Sequence, residues 1–202
     1  GEKNNKSIFQ EIRETEFGKK YYEARMDYFY FFIEKGIEIL EDEGIMAYIT
    51  TNYWLRADSG KKLRQVLKEN GNFLEIKNYD NSVFTKAVGQ HNIIFLWEKD
   101  KKKDKKAKIN IPEKDFEIKN SLLYDDSGKI VLADEEALKF NKKILKMSNY
   151  KMKDLVNVNQ GIVSGLDKAY IFEEYREEFK DFLKPFYKNK DIGKYTNKKN
   201  NF

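Results

Sequence analysis

Side chains able to do covalent or metal chemistry are scarce in this chain. It has no Cys and a single His, His91. A thiolate nucleophile, a disulfide framework, a thiolate zinc site and an imidazole cluster are therefore excluded, and no metal is expected. Charge and aromatic surface are abundant instead: among 202 residues 39 are Lys or Arg against 34 Asp or Glu, a formal charge of +5, and 15% are Phe, Tyr or Trp. Lys99–Lys108 (KDKKKDKKAK) holds seven Lys and two Asp, a local excess equal to that of the whole chain. It reads either as a solvated hairpin tip or linker, or as a phosphate-contacting patch.

An apolar fraction of 40% supplies a core, so disorder throughout is excluded. No apolar run approaches the roughly 20 residues of a membrane span, and GEKNNKSIFQ lacks an apolar signal segment. A soluble, cytoplasmic protein without a membrane partner is expected.

The elements that must position any site alternate. Between Tyr21 and Leu40, Phe29, Phe32, Ile33, Ile37 and Leu40 recur at spacings of three and four, which predicts a helix with one apolar stripe, closed by Gly44. Gly44–Thr50 (GIMAYIT) reads as a buried strand of a parallel sheet. Asp58 or Ser59 caps a second helix with Leu63, Val66 and Leu67 inward, broken at Asn70-Gly71. Phe73–Tyr79, with Leu74 and Ile76 on one face, and His91–Glu98 read as further strands around an eleven-residue loop, DNSVFTKAVGQ. This is the alternation of an open α/β sheet, yet three strands make only part of one. Residues 99–149 read as a lysine-rich hairpin or linker, with a weak strand at Lys129–Leu132 and a helix over Asp134–Met147. From Tyr150 the texture changes to short strands and glycine turns, a second domain over residues 150–202 that looks truncated.

With those elements in place, Met26–Arg64 resembles the gamma-class adenine-N6 DNA methyltransferases, particularly the Eco57I-like type IIG restriction-modification enzymes. The resemblance rests on Asp27-Tyr28, Ile39-Leu40, Glu43-Gly44, Ile45–Ile49, Asn52-Tyr53-Trp54-Leu55 and Leu63-Arg64 in the family's order. Asn81–Val88 is similar to a family loop containing Val-Phe. Asn159–Phe172 and Leu183–Tyr195 are similar to the opening of its target-recognition domain. The resemblance implies the C-terminal part of a Rossmann-like methyltransferase sheet, its last three strands with covering helices, over residues 1–98. A partial α+β recognition domain follows. The family's glycine-rich motif for S-adenosylmethionine and its Asn/Asp-Pro-Pro-Tyr/Phe catalytic motif are absent, since the only prolines are Pro112 and Pro185. The expected object is a fragment of a larger enzyme, inactive alone, acting on double-stranded DNA with S-adenosylmethionine as the parent's cofactor.

Methylation of an adenine amino group requires the base to leave the duplex. By loop position and by the resemblance, Phe84 is either the aromatic that stacks on the extruded base, worth roughly 1–3 kcal/mol, or a ring tucked under its own loop, and Lys86 beside it is either a contact to a flanking phosphate or a solvated lysine. Tyr53 and Trp54 either wall the pocket or belong to the core, Asp27 and Asn52 are candidates to orient the site, and Asp27 is equally explained by the helix dipole. In the recognition region Gly161 and Gly165 allow close backbone approach. Gln160, Ser164 and Lys168 offer donors to bases or phosphates, and Lys188 and Lys190 lie in a basic tail. The competing readings are a non-enzymatic DNA-binding specificity module and an RNA methyltransferase fragment.

Overall fold

The computed structural model describes residues 2–79, 81, 83–84, 91–102, 104–157, 159, 165–187 and 191–197. They fall into two units, Gly1–Ser148 and Asn149–Phe202. The first begins with α1 (Lys6–Glu14) and α2 (Glu16–Tyr21), the latter capped by Thr15, whose hydroxyl accepts the Gly18 N–H. Then come α3 (Tyr28–Ile39) and β1 (Ile45–Thr51). The Asp27 carboxylate caps α3 by accepting the Tyr28 N–H.

The apolar stripe of α3 differs from the expected one. Tyr30, Phe31, Ile33, Glu34 and Ile37 are buried, whereas Phe32 is 66% exposed. Aromatic residues surround this helix on every side, so periodicity alone could not select the inner face. Contacts of Phe31 with Phe9 and Phe17 select it. The chain reverses after α3 through Glu43, which holds a left-handed φ of 65°, and not through a left-handed Gly44. Gly44 is needed for space: a Cβ there would lie 2.9 Å from the Glu41 carbonyl oxygen.

After β1, two 3-10 turns (Tyr53–Leu55 and Asp58–Gly60) lead to α4 (Lys61–Asn70). Neither Asp58 nor Ser59 caps it; the N-cap is Gly60, without a side-chain cap. Gly71 ends the helix where any Cβ would collide with the Glu98 carbonyl, 2.0 Å away. β2 (Asn72–Asn78) and β3 (Asn92–Glu98) follow. A bulge between Phe73 and Glu75 breaks the alternation of β2. Phe73 and Ile76 therefore share the core, and Leu74 does not pair with Ile76 on one face as expected.

The segment expected to be a lysine-rich hairpin or linker forms a hairpin that extends the sheet. β4 (Lys106–Ile111) and β5 (Lys114–Lys119) form a hairpin, and β4 pairs parallel with β2. The full order is β1-β3-β2-β4-β5, with β3 antiparallel to both neighbours. β1, β2 and β4 thus run the same way and end on one rim. Lys129–Leu132 contributes only an isolated bridge, Tyr124 with Ile130. α5 (Glu135–Met147) is capped by Asp134 through the Ala137 N–H. Trp54, Trp97, Phe73, Phe95, Leu67 and Ile109 are among the buried residues of one core. Met46 and Thr50 of β1 are buried, while alternate residues Ile45, Ala47 and Ile49 are exposed.

The second unit contains α6 (Met152–Leu155), α7 (Asp167–Tyr170), β6 (Ile192–Gly193) and β7 (Thr196–Asn197). Leu155, read from sequence as strand, ends a helical turn.

Candidate functional site

Because β1, β2 and β4 are parallel, the segments leaving them gather at one edge of the sheet, where open α/β sheets bind ligands. At the end of β1, Asn52 donates from Nδ2 to Asn78 Oδ1 at 2.8 Å, joining it to the end of β2. Its backbone N–H donates to the His91 carbonyl. A cleft of about 390 Å³ is lined by Asn52, Tyr53, Arg56, Asn78 and Pro112, among others.

The turn after β1 is rigid for identifiable reasons. Trp54 is fully buried, and its indole N–H donates to Thr50 Oγ1 at 3.0 Å; it belongs to the core. The buried Arg64 guanidinium donates to the carbonyls of Trp54 (2.6 Å), Ala57 (2.7 Å) and Gly128 (2.8 Å). Tyr53 remains at the surface, 43% exposed, and its hydroxyl donates to Asp27 Oδ2 at 2.9 Å. Burial, then Tyr30 and the Asp27 carboxylate, push this phenol well above its ordinary pKa, so it stays protonated at neutral pH. Asp27 accordingly serves both the start of α3 and the rim.

Phe84 follows β2 and is 50% exposed. The residue before it is anchored: the Val83 N–H donates to Oδ1 of the buried Asn92 at 2.9 Å. Nδ2 of Asn92 donates to the Thr50 carbonyl at 3.4 Å. One amide thus ties the Phe84 loop to the end of β1. Neither Asn92 nor Arg64 had been singled out from the sequence as a site residue. His91 is exposed at the start of β3; among the described residues no group of three or more His, Cys, Asp or Glu could hold a metal, and no helix is long and apolar enough to cross a membrane.

Lys168 lies exposed on α7 of the second unit. Lys86, Gln160, Ser164, Lys188 and Lys190 lie outside the described residues. The lysine run does not act as one free patch. Lys99 donates to the Leu40 carbonyl, and Lys105 pairs with Glu98 and Asp100.

A family model described as Eco57I restriction-modification methylase matches residues 1–84. The type II methyltransferase M.HindII of Haemophilus influenzae is 27% identical over 187 residues, covering 80% of this chain and 36% of that protein. The type II restriction enzyme and methyltransferase RM.Eco57I of Escherichia coli is 26% identical over 172 residues, 79% of this chain and 17% of that protein. The chain thus spans about a third or less of the length of these curated relatives. Among solved structures, the type IIG restriction endonuclease BpuSI aligns over 52% of this chain and 12% of its own, with 16% identity and a TM-score of 0.39. Over residues 1–84, then, the chain is similar to the Eco57I restriction-modification methylases.

Proposed function

We propose that this chain is part of an S-adenosylmethionine-dependent DNA methyltransferase of the adenine-N6 class, in which it supplies the target-base side of the active site and the start of the recognition region. The observation that carries this reading is the placement of Phe84. Asn92 fastens the residue before it to the end of β1, and so the ring stands half-exposed beside the rim at which a base pulled from the duplex has to be received.

Stacking suits an aromatic ring because every base has a π-face, and it holds the base without demanding a particular hydrogen-bond pattern. Tyr53, protonated and oriented by Asp27, keeps the neighbouring wall fixed. Lys86, Gln160, Ser164, Lys168, Lys188 and Lys190 remain proposed DNA contacts. S-adenosylmethionine, when bound, supplies the methyl group on its sulfonium. The sequence holds no glycine-rich motif of the kind that cradles this cofactor. No residue of this chain is therefore assigned to the cofactor.

The test is transfer of labelled methyl groups from S-adenosylmethionine to duplex DNA by the full-length protein, with the methylated nucleoside identified after digestion. N6-methyladenine is expected. Label in cytosine would sink the adenine assignment, and no label in any duplex would sink the methyltransferase reading. The 202-residue chain alone, lacking the Asn/Asp-Pro-Pro motif, is expected to transfer nothing.

A further inference from the structure

The amino-terminal helix carries a cationic cavity that none of the roles above uses. Lys3, Lys6, Gln10, Arg13 and Arg25 line a space of about 600 Å³ together with one acid, Glu2. Lys6, Gln10 and Arg13 follow one another at spacings of four and three along α1, which puts them on one helix face. Glu2 does not neutralise the cluster, because both its oxygens are engaged within the protein. One accepts the Tyr22 hydroxyl at 2.6 Å and the other the Arg25 N–H at 2.7 Å. The Tyr22 hydrogen bond is the largest influence holding the Glu2 carboxyl below its usual pKa, with Arg13 and Lys6 adding to it.

Among the described residues none of the four cations forms an ion pair. Elsewhere some lysines do find carboxylates, as Lys20 and Lys35 do with Glu38. Arg13 is held in place by stacking on the Tyr22 ring, 4.4 Å from its centroid. A stacked guanidinium is preorganised to offer its planar donors to a phosphate. Four positive groups against one occupied carboxylate repel one another, and an anion bound from outside relieves that repulsion. Along the chain, Arg25 comes two residues before Asp27, which receives the Tyr53 hydroxyl at the end of β1.

We propose that this cavity grips a phosphodiester of the nucleic-acid backbone flanking the extruded base, an inference that rests on the DNA-directed reading above. It gives affinity and register without sequence selectivity.

The experiment measures binding of the 202-residue chain to a fluorescent duplex by anisotropy across a salt series, alongside calorimetric titration with inorganic phosphate. The double variant Lys3→Gln/Lys6→Gln is compared with Lys142→Gln/Lys143→Gln on α5, which removes the same charge elsewhere. Circular dichroism confirms the fold of each. The expected result is a tenfold or greater loss of duplex affinity at low salt for the first pair. Its slope of log affinity against log salt should fall by about 0.9 per lost phosphate contact, with little change for the α5 pair. Equal losses in the two pairs, or none, overturn the cavity while leaving the DNA reading standing. No duplex binding, with phosphate still bound by the unmodified chain and not by Lys3→Gln/Lys6→Gln, keeps the anion site and overturns its DNA ligand. Binding of neither probe overturns both.

Discussion

Glu34 and Phe84 differ sharply in how they are placed, and each placement has a measurable consequence. Glu34 sits on the inner face of α3, fully buried, with neither carboxylate oxygen hydrogen-bonded. Burial pushes its pKa up to about 8 from an ordinary 4.5. The folded protein therefore holds a proton that the unfolded chain releases between those values. Stability should be greatest near or below pH 4.5, fall as pH rises, and level off above about pH 8. Glu34→Gln should flatten this dependence and stabilise the fold at pH 8 by an amount of order a few kcal/mol. Urea unfolding of both proteins at pH 5 and pH 8 checks it, and a wild-type midpoint that Glu34 titration leaves unmoved would refute it. For Phe84, replacement by Ala in the full-length protein should lower turnover on duplex DNA by tenfold or more while weakening DNA binding less. Equal turnover would remove the ring from the base pocket.

Among the elements, the turn between β1 and α4 depends on a single side chain. Arg64 reaches three backbone carbonyls, the buried one of Trp54 and the part-buried ones of Ala57 and of Gly128, 64 residues away. Arg64→Met should destabilise by roughly 3 kcal/mol or more, since it strands those carbonyls. Arg64→Lys should recover only part, because an ammonium cannot span the same fork. Thermal melts of the two variants provide the check; a methionine variant as stable as wild type would mean the turn holds itself. The family pattern Leu63-Arg64 was visible in the sequence, but the carbonyls that give Arg64 its role come from segments brought together only by folding.

For the first unit taken whole, β3 is flanked by strands on both sides, whereas β1 pairs only with β3 and exposes Ile45, Ala47 and Ile49 on one face. Among the described residues the outer edge of β1 has no neighbouring strand. Alone, it is a template for pairing with other chains. The 202-residue chain should therefore self-associate in sedimentation experiments, and Ile49→Lys should reduce that association without loss of folding. An unmodified chain that stays monomeric at high concentration would show that the β1 edge does not pair.

The alternation of helix and strand, the helix from Asp134 to Met147 and the break at Asn70-Gly71 were legible in the sequence, because each depends on neighbours within a few residues, whereas the caps were not: Asp27 caps α3 and Gly60, in place of Asp58 or Ser59, precedes α4. So was the position of Phe84, on a loop leaving the carboxyl edge. Folding alone decided what depends on distant partners. Residues 99–149 were read as a lysine-rich hairpin or linker, without strands β4 and β5, because the lysines hide the alternation of Ala107 and Ile109 with polar residues. The inner face of α3 was ambiguous until Phe9 and Phe17 arrived against Phe31. Asn92, an unremarkable residue at the start of a strand, acquires its function only because two backbones meet at its amide.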